Sequence, residues 1–238
     1  MKSTIPIRLP SLRDFNHDAR LLILVTGLIA ISFFGVSILL KSLYVLRLGY
    51  GPQYVGAYLS SGAFIFMGMG VPSGALGSRF GTRRIMLLGA WLTVIGMGML
   101  PATQIVPAGW RAAWPFITQV VTTVGWSMFN VNLVPALVVA TNEQNRSAAY
   151  AMSSAVRGVG NFVGTLIGGV LPGLFAGLFK TTLDDATPYA YALLVGAFLG
   201  LLAIVPLMRI EGGQAPAKDD EEAAARGPFP YLPVAMMV

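Results

Sequence analysis

Hydrophobic residues fall in six long runs along the chain, separated by short segments that hold most of the charged residues. The runs cover about 21–47, 54–77, 85–100, 113–140, 148–179 and 189–208. At about 1.5 Å per residue, runs of this kind can cross a hydrocarbon core of about 30 Å as α-helices. They do not alternate between polar and apolar residues as barrel strands do, and backbone groups inside lipid must be hydrogen-bonded within the protein. The pattern predicts an all-α membrane protein with six transmembrane helices.

Composition supports the same environment. Hydrophobic residues make up 55% of the chain and charged residues 11%, whereas soluble domains carry about 25% charged residues. We therefore expect the lipid bilayer to be a partner of most of the surface. The formal charge of +6 does not indicate nucleic-acid binding, because the basic residues are scattered at the ends of the apolar runs and form no stripe. With no cysteine and one histidine, His17, the sequence predicts neither a Cys/His metal site nor a cofactor.

The distribution of basic residues predicts the orientation. If the N-terminus lies in the cytoplasm, eleven Lys and Arg residues fall in cytoplasmic segments and four fall at the outer ends of the helices. Such an imbalance is typical of an inside N-terminus. The eleven are Lys2, Arg8, Arg13, Arg20, Arg79, Arg83, Arg84, Arg146, Arg209, Lys218 and Arg226, and the four are Lys41, Arg47, Arg111 and Lys180.

The two ends of the sequence differ from the six runs. Residues 1–20 are polar and basic and are expected to form a cytoplasmic arm. Residues 209–228 are rich in Gly, Ala and acidic residues, as is typical of a solvated linker. Residues 229–238 read as the start of a seventh apolar run, too short to span a bilayer. These features predict a truncated chain or a fragment.

The connection between the second and third runs has a distinctive sequence. Gly74-x-Leu76-x-Ser78-Arg79-x-Gly81-x-Arg83 resembles the G-x-L-x-D-R-x-G-R/K-R/K signature that the major facilitator superfamily carries between its second and third helices. The resemblance covers essentially the chain's full length as an N-terminal six-helix half. One position departs from it, since Ser78 stands where the family has Asp. A hydroxyl can cap a helix N-terminus, but it cannot make the charged gating contact of that Asp.

The resemblance implies a fold and an activity. It implies two three-helix inverted repeats, here about 21–105 and 110–208, and alternating access by rocking of two halves. The expected partners are a small-molecule substrate and either a missing C-terminal six-helix half or a second copy of this chain. It implies a gating role for the connection itself, through Gly74, Leu76, Ser78, Arg79, Gly81 and Arg83. A basic loop that only fixes topology is the alternative.

Small residues predict close helix packing in two places. Gly70 and Gly74 give the second run a small-xxx-small pattern. In the fifth run, Gly160, Gly164 and Gly168 fall on one face. That run also resembles the family's antiporter motif, but the proline of the motif is absent, so antiport is not inferred.

Polar residues of the fourth and fifth runs are the candidate lining of a solute cavity. Arg157 lies roughly 14 Å into its run, where a charge is costly and commonly functional. A substrate contact and a structural contact with helix carbonyls or a neighbouring asparagine are equally compatible with its position. The candidate lining consists of Arg157 and Asn161 together with Gln119, Thr123, Ser127 and Asn130, which recur at helical spacing. For the four residues of the fourth run, interhelical hydrogen bonding is the alternative. Lys41, near the outer end of the first run, is expected to snorkel to the interface.

The acidic residues limit the mechanism. All ten Asp and Glu residues lie outside the apolar runs, so proton coupling would need a titratable group from elsewhere. We expect a secondary transporter of a small solute in the plasma membrane. A six-helix membrane scaffold or assembly partner, possibly homodimeric, is the alternative, and cross-linking through the second and fifth helices would reveal it. An intramembrane enzyme is disfavoured, because no nucleophile–base pair falls at membrane depth.

Overall fold

The computed structural model describes residues 15–210, and every regular element in this part of the chain is helical. The helices are α1 (His17–Arg47), α2 (Pro52–Phe80), α3 (Thr82–Met99), α4 (Trp114–Val139), α5 (Glu143–Phe179) and α6 (Thr187–Met208). All six are long and apolar enough to cross a membrane, α3 together with the 3₁₀ turn Leu100–Gln104. The protein is therefore an all-α, multi-pass integral membrane protein, as the sequence predicts. Residues 1–14 of the expected arm, the linker beyond residue 210 and the expected seventh helix lie outside the described residues.

Proline, asparagine and glycine set the helix ends. Proline occupies the first or second position of α2, α4 and α6, where a missing N–H costs little. α5 begins earlier than its apolar run, at Glu143, because Asn142 and Asn145 form a reciprocal capping box. It ends at Phe179 and is followed by Lys180, whose backbone is left-handed with φ 52°.

The connections divide the bundle into two ends. We call the end that holds the start of α1, the α2–α3 and α4–α5 connections and the end of α6 the basic end. It carries Arg20, Arg79, Arg83, Arg84, Arg146 and Arg209. The opposite end holds the other three connections, and there Arg47 of α1 pairs with Asp184 of the α5–α6 connection at 2.7 Å.

The helix contacts have a two-fold pattern. α1 packs against α5 and α6, and α4 packs in the same way against α2 and α3. Pro72 of α2 and Pro172 of α5 each lie roughly two turns before the end of their helices. Exchanging the first three helices for the last three therefore preserves the contacts, which is the pattern expected of two three-helix repeats.

The core lies between α1, α3, α4 and α6. Phe33 and Trp126 stack with ring centroids 4.8 Å apart, and Phe34 meets the same indole edge to face at 5.1 Å. α2 and α5 are the least buried spans, with 17% and 22% of their most apolar window inside the protein. These two flanking helices are thus the ones most open to lipid or another protein.

Candidate functional site

The signature segment is mostly helix rather than loop. α2 continues to Phe80 and α3 starts at Thr82, so Gly81 alone makes the turn. Its φ of 93° lies in the region that favours glycine. Ser78 therefore caps no helix N-terminus: it lies in the last turn of α2, where its hydroxyl donates to the Ala75 carbonyl oxygen at 3.0 Å. The second run, expected to end at about residue 77, therefore continues as helix to Phe80.

The basic residues of the signature have different environments. The Arg83 guanidinium donates through Nη2 to the Met208 carbonyl oxygen at 2.5 Å, at the last turn of α6. Arg79 is exposed, with its guanidinium 5.3 Å from the centre of the neighbouring Phe80 ring. Arg83 thus joins the α2–α3 turn to the end of α6 by binding an otherwise unpaired helix carbonyl.

The other signature positions face α4 or open space. Leu76 and Gly74 are half-buried, and a Cβ on Gly74 would meet Val131 at 3.7 Å, an ordinary contact. A Cβ on Gly70 would meet no atom within 4 Å. The described residues therefore give Gly70 no packing partner, in contrast to the expected small-xxx-small contact.

The α4 stripe is divided between buried and partly exposed positions. Ser127 is fully buried and accepts a hydrogen bond from the Ser73 hydroxyl of α2 at 3.1 Å. Gln119 and Thr123 are 5% and 7% exposed. Asn130 is half-buried, and the structure gives its side chain no hydrogen bond among the described residues. Of the four, Asn130 is the one whose amide is free to contact a solute.

Asn132 has a role that sequence reasoning missed. It is 2% exposed and donates through Nδ2 to the Ser73 carbonyl oxygen at 3.0 Å and to the Met128 carbonyl oxygen at 2.8 Å. Its side chain lies against Gly77, where a Cβ would overlap it. Asn132 lies two residues beyond the predicted stripe, on the side of α4 that faces α2. Its role can be recognised only from its contact with Gly77.

Lys41 does not snorkel to the interface. Its Nζ donates to Gln119 Oε1 of α4 at 3.4 Å and lies 5.7 Å from the centre of the Tyr58 ring of α2. The ammonium group therefore points between helices, and these contacts replace the expected interfacial position. The nearby α2 and α4 side chains supply a partner that the sequence alone could not reveal.

The predicted small and polar face of α5 separates into two lanes. Ser153, Gly160, Gly164 and Gly168 are buried, and the three glycines contact α1. A Cβ on Gly164 would lie 2.3 Å from the Ile31 carbonyl oxygen, and one on Gly160 would lie 2.7 Å from the Gly27 carbonyl oxygen. Only glycine permits backbones to approach this closely.

The second lane of α5 remains open. Ser154, Asn161 and Thr165 are exposed, and the Thr165 hydroxyl donates to the Asn161 carbonyl oxygen at 2.9 Å. Arg157 is half-buried, and the described residues give it no hydrogen bond or ion pair. The Arg157 guanidinium and the Asn161 amide are thus available to water, a solute or another protein segment.

The remaining chemistry of the described region is limited. Within residues 15–210, no group of three or more His, Asp or Glu side chains could hold a metal ion. A small core cavity includes Ser32 and Thr93 in its lining, but both hydroxyls donate to carbonyl oxygens of the chain. The arrangement is suited to contacting a solute with amide and cationic groups at membrane depth.

Comparisons with known proteins agree with this architecture. The family model described as Major Facilitator Superfamily matches residues 12–237. No curated protein matches the chain. Members of this family are transporters rather than enzymes, and the six spans with the signature between α2 and α3 correspond to the N-terminal half of the family's fold. The chain therefore belongs to the major facilitator superfamily.

Proposed function

We propose that this protein is a secondary transporter that moves a small solute across the cytoplasmic membrane by alternating access. The described helices would form the N-terminal half of the solute passage. The proposal takes the substrate to be a small molecule and invokes neither a cofactor nor enzymatic chemistry.

The exposed lane of α5 is the observation that carries this proposal. Ser154, Asn161 and Thr165 lie on the open side of a helix whose other lane packs on α1. Polar groups at membrane depth are unfavourable against lipid, where they lack hydrogen-bond partners. The lane is therefore expected to face water or another protein segment. Arg157 and Asn130 add a cationic and an amide group with no intrachain partner among the described residues.

The proposed orientation places the basic end in the cytoplasm. Six arginines of the described region lie at that end, and positively charged segments are retained on the cytoplasmic side during insertion. The same charges would attract the anionic lipids of the inner leaflet. The N-terminus and the α2–α3 turn would then both be cytoplasmic.

A C-terminal six-helix half is the proposed partner of α2 and α5. Their outward faces carry Met67, Val71 and Phe162, which are 73%, 84% and 65% exposed. Apolar residues of this kind suit either lipid or a second bundle, and the polar lane beside them favours a second bundle. A second copy of the chain is the alternative occupant of this surface, in keeping with a scaffold or assembly role.

The positions of the acidic residues favour a proton-coupling group outside the described region. Within residues 15–210 the carboxylates are Asp18, Glu143, Asp184 and Asp185, all in first helical turns or in the α5–α6 connection. A proton-coupled mechanism would need a carboxylate at membrane depth from the remainder of the protein. Uniport requires no carboxylate at membrane depth.

Site-directed labelling tests the proposal, since residues 1–238 contain no cysteine and any cysteine elsewhere in the protein would first be replaced by serine. We would introduce Asn161→Cys into the full-length protein and expose right-side-out and inverted vesicles to a membrane-impermeant maleimide. Alternating access predicts labelling from both sides, with Ser78→Cys labelled only from the cytoplasmic side and Leu183→Cys, at an exposed position of the α5–α6 connection, only from the outside. Labelling of residue 161 from one side alone, or from neither, would contradict the proposal.

Solute flux provides the second measurement. Proteoliposomes containing the intact protein would be assayed with anionic, cationic and neutral solutes, with and without a pH gradient. Transport of at least one solute above protein-free vesicles is expected. A discrete cross-linked homodimer through α2 and α5, together with no flux for any solute, would instead favour the scaffold role.

A further inference from the structure

Three side chains from three helices meet at one level near the opposite end of the bundle. Lys41 lies six residues before the end of α1, Tyr58 six residues after the start of α2 and Gln119 five residues after the start of α4. At 1.5 Å per residue, all three are about 8–9 Å from the ends of their helices. We call this group the Lys41 cluster.

The Lys41 ammonium is held in place, but only part of its hydrogen-bonding capacity is used within the described residues. Gln119 Oε1 accepts one hydrogen bond at 3.4 Å, and the Tyr58 ring, 5.7 Å away, offers a cation–π contact. An ammonium group has three N–H donors, and Gln119 is its one hydrogen-bond acceptor among the described residues. Lys41 is partly exposed, and its two remaining donors have no acceptor among the described residues.

The cluster is shaped to hold Gln119 in one orientation. Gln119 is 5% exposed, and its Nε2 lies against Gly62, where a Cβ would be 2.1 Å away. Tyr58 is 1% exposed and packs in a group that includes Val45, Val55 and Phe116. The acceptor and the ring are therefore fixed by packing, and Lys41 is the one member of the cluster that is partly exposed.

The charge of Lys41 has no counterpart in the described part of the chain. The four carboxylates of residues 15–210 lie near the basic end or in the α5–α6 connection, and Asp184 pairs with Arg47. A cation kept at membrane depth is unfavourable unless an anion or several acceptors accompany it. An oxyanion bound by the Lys41 ammonium would supply both the charge and the missing acceptors.

We propose that the Lys41 cluster binds the anionic group of the transported solute, so that the substrate is an organic or inorganic oxyanion. This inference rests on the proposed transport function and specifies its substrate class. Lys41 forms the charge-assisted hydrogen bonds to the anion, and Gln119 and Tyr58 position the ammonium. A single ammonium favours solutes whose binding group carries one negative charge.

The test uses binding and flux separately. The purified full-length protein is melted in detergent with sodium acetate, sodium benzoate or sodium phosphate, with sodium chloride, glucose and choline chloride as references. A ligand that binds the native state raises the melting temperature. At least one of the three oxyanions is expected to raise it above the chloride reference, whereas glucose and choline are not.

Four variants distinguish an anion site from a structural lysine. Lys41→Gln should weaken oxyanion binding by about 10- to 100-fold, the effect of losing a hydrogen bond to a charged group, and Lys41→Arg should retain most of it. Gln119→Glu places a carboxylate beside the ammonium, so the ligand-free protein should melt at the same temperature or higher while the oxyanion response disappears. Lys180→Asn removes an exposed charge at a left-handed position that Asn tolerates and should change nothing.

Each outcome has one meaning. If none of the oxyanions raises the melting temperature, or if Lys41→Gln or Gln119→Glu leaves the response intact, the anion site is wrong. If proteoliposomes transport a neutral or cationic solute equally well with wild-type protein and Lys41→Gln, the site is wrong while the transport function stands. If the oxyanion response depends on Lys41 but no solute moves, Lys41 is an anion-binding residue, and both the transport function and the assignment of the anion as its solute are wrong.

Discussion

The Asn132 side chain lies directly over Gly77 and donates a hydrogen bond to the Ser73 carbonyl oxygen of the same helix, α2, at 3.0 Å. In the equivalent helix pair of the other repeat, α1 and α5, Gly35 meets Gly164 with no side chain between them. Two equivalent helix pairs are thus held together differently. One uses an amide inserted over a glycine, and the other uses direct contact of two backbones.

Gly77→Ala should destabilise the α2–α4 contact. The new Cβ would overlap Asn132 Oδ1, so the amide must move and leave a buried carbonyl oxygen of α2 without its partner. A loss of about 1–3 kcal/mol in the free energy of unfolding is expected, measured by thermal unfolding in detergent. Gly70→Ala is the matched control on the same helix, because its Cβ would meet open space. Equal melting temperatures for the two variants would contradict the role given to Asn132.

Gly164→Ala should separate α1 from α5. Its Cβ would lie 2.3 Å from the Ile31 carbonyl oxygen and 2.8 Å from the Ile31 Cα, and backbone atoms cannot yield as a flexible side chain can. Overpacking of this kind costs about 1–3 kcal/mol. Gly169→Ala, on the open side of the same helix, should be neutral or slightly stabilising. The comparison requires thermal unfolding of both variants at equal expression, and a stable Gly164→Ala protein would argue against direct backbone contact.

Hydropathy was sufficient to predict the six spans, because residence in lipid requires about 20 apolar residues and an internally bonded backbone. It was less informative about where helices begin and end. α5 starts at Glu143, within a polar stretch, since Asn142 and Asn145 cap it outside the apolar run. The α2–α3 signature has many loop-forming residues, yet only Gly81 leaves the helical conformation.

The polar contacts were harder to predict than the spans. Helical spacing identified the stripe from Gln119 to Asn130, but it cannot reveal which member meets another helix. Ser127 is bonded to α2 and Asn130 is not, and Asn132 was missed because its partner, Gly77, is 55 positions away in the sequence. Lys41 was expected at the interface for the same reason: its contacts with α2 and α4 depend on how the helices pack.

Ser127→Ala and Asn130→Ala should separate stability from transport. Ser127 is fully buried and bonded to Ser73, so its loss is expected to cost about 1 kcal/mol in unfolding free energy with little effect on the half-saturating solute concentration. Asn130 is half-buried and makes no intrachain side-chain hydrogen bond in the described region. Its substitution should leave the melting temperature unchanged and raise the half-saturating concentration severalfold in proteoliposome flux. If Asn130→Ala instead lowers the melting temperature and leaves the half-saturating concentration unchanged, Asn130 does not line the solute passage.

Arg83→Gln should loosen the end of α6. The Arg83 guanidinium donates to the Met208 carbonyl oxygen, one of the last acceptors of that helix, and so ties the α2–α3 turn to the segment that leaves the bundle. Losing this bond should lower the local opening free energy by about 1 kcal/mol, which corresponds to roughly fivefold faster exchange of the last amides of α6. Hydrogen–deuterium exchange with peptide mapping measures it. Arg84→Gln is the control, because Arg84 is exposed and makes no hydrogen bond, ion pair or ring contact among the described residues. If the last amides of α6 exchange at the wild-type rate in both variants, Arg83 does not restrain α6. The α2–α3 turn would then have no supported role beyond fixing the membrane topology.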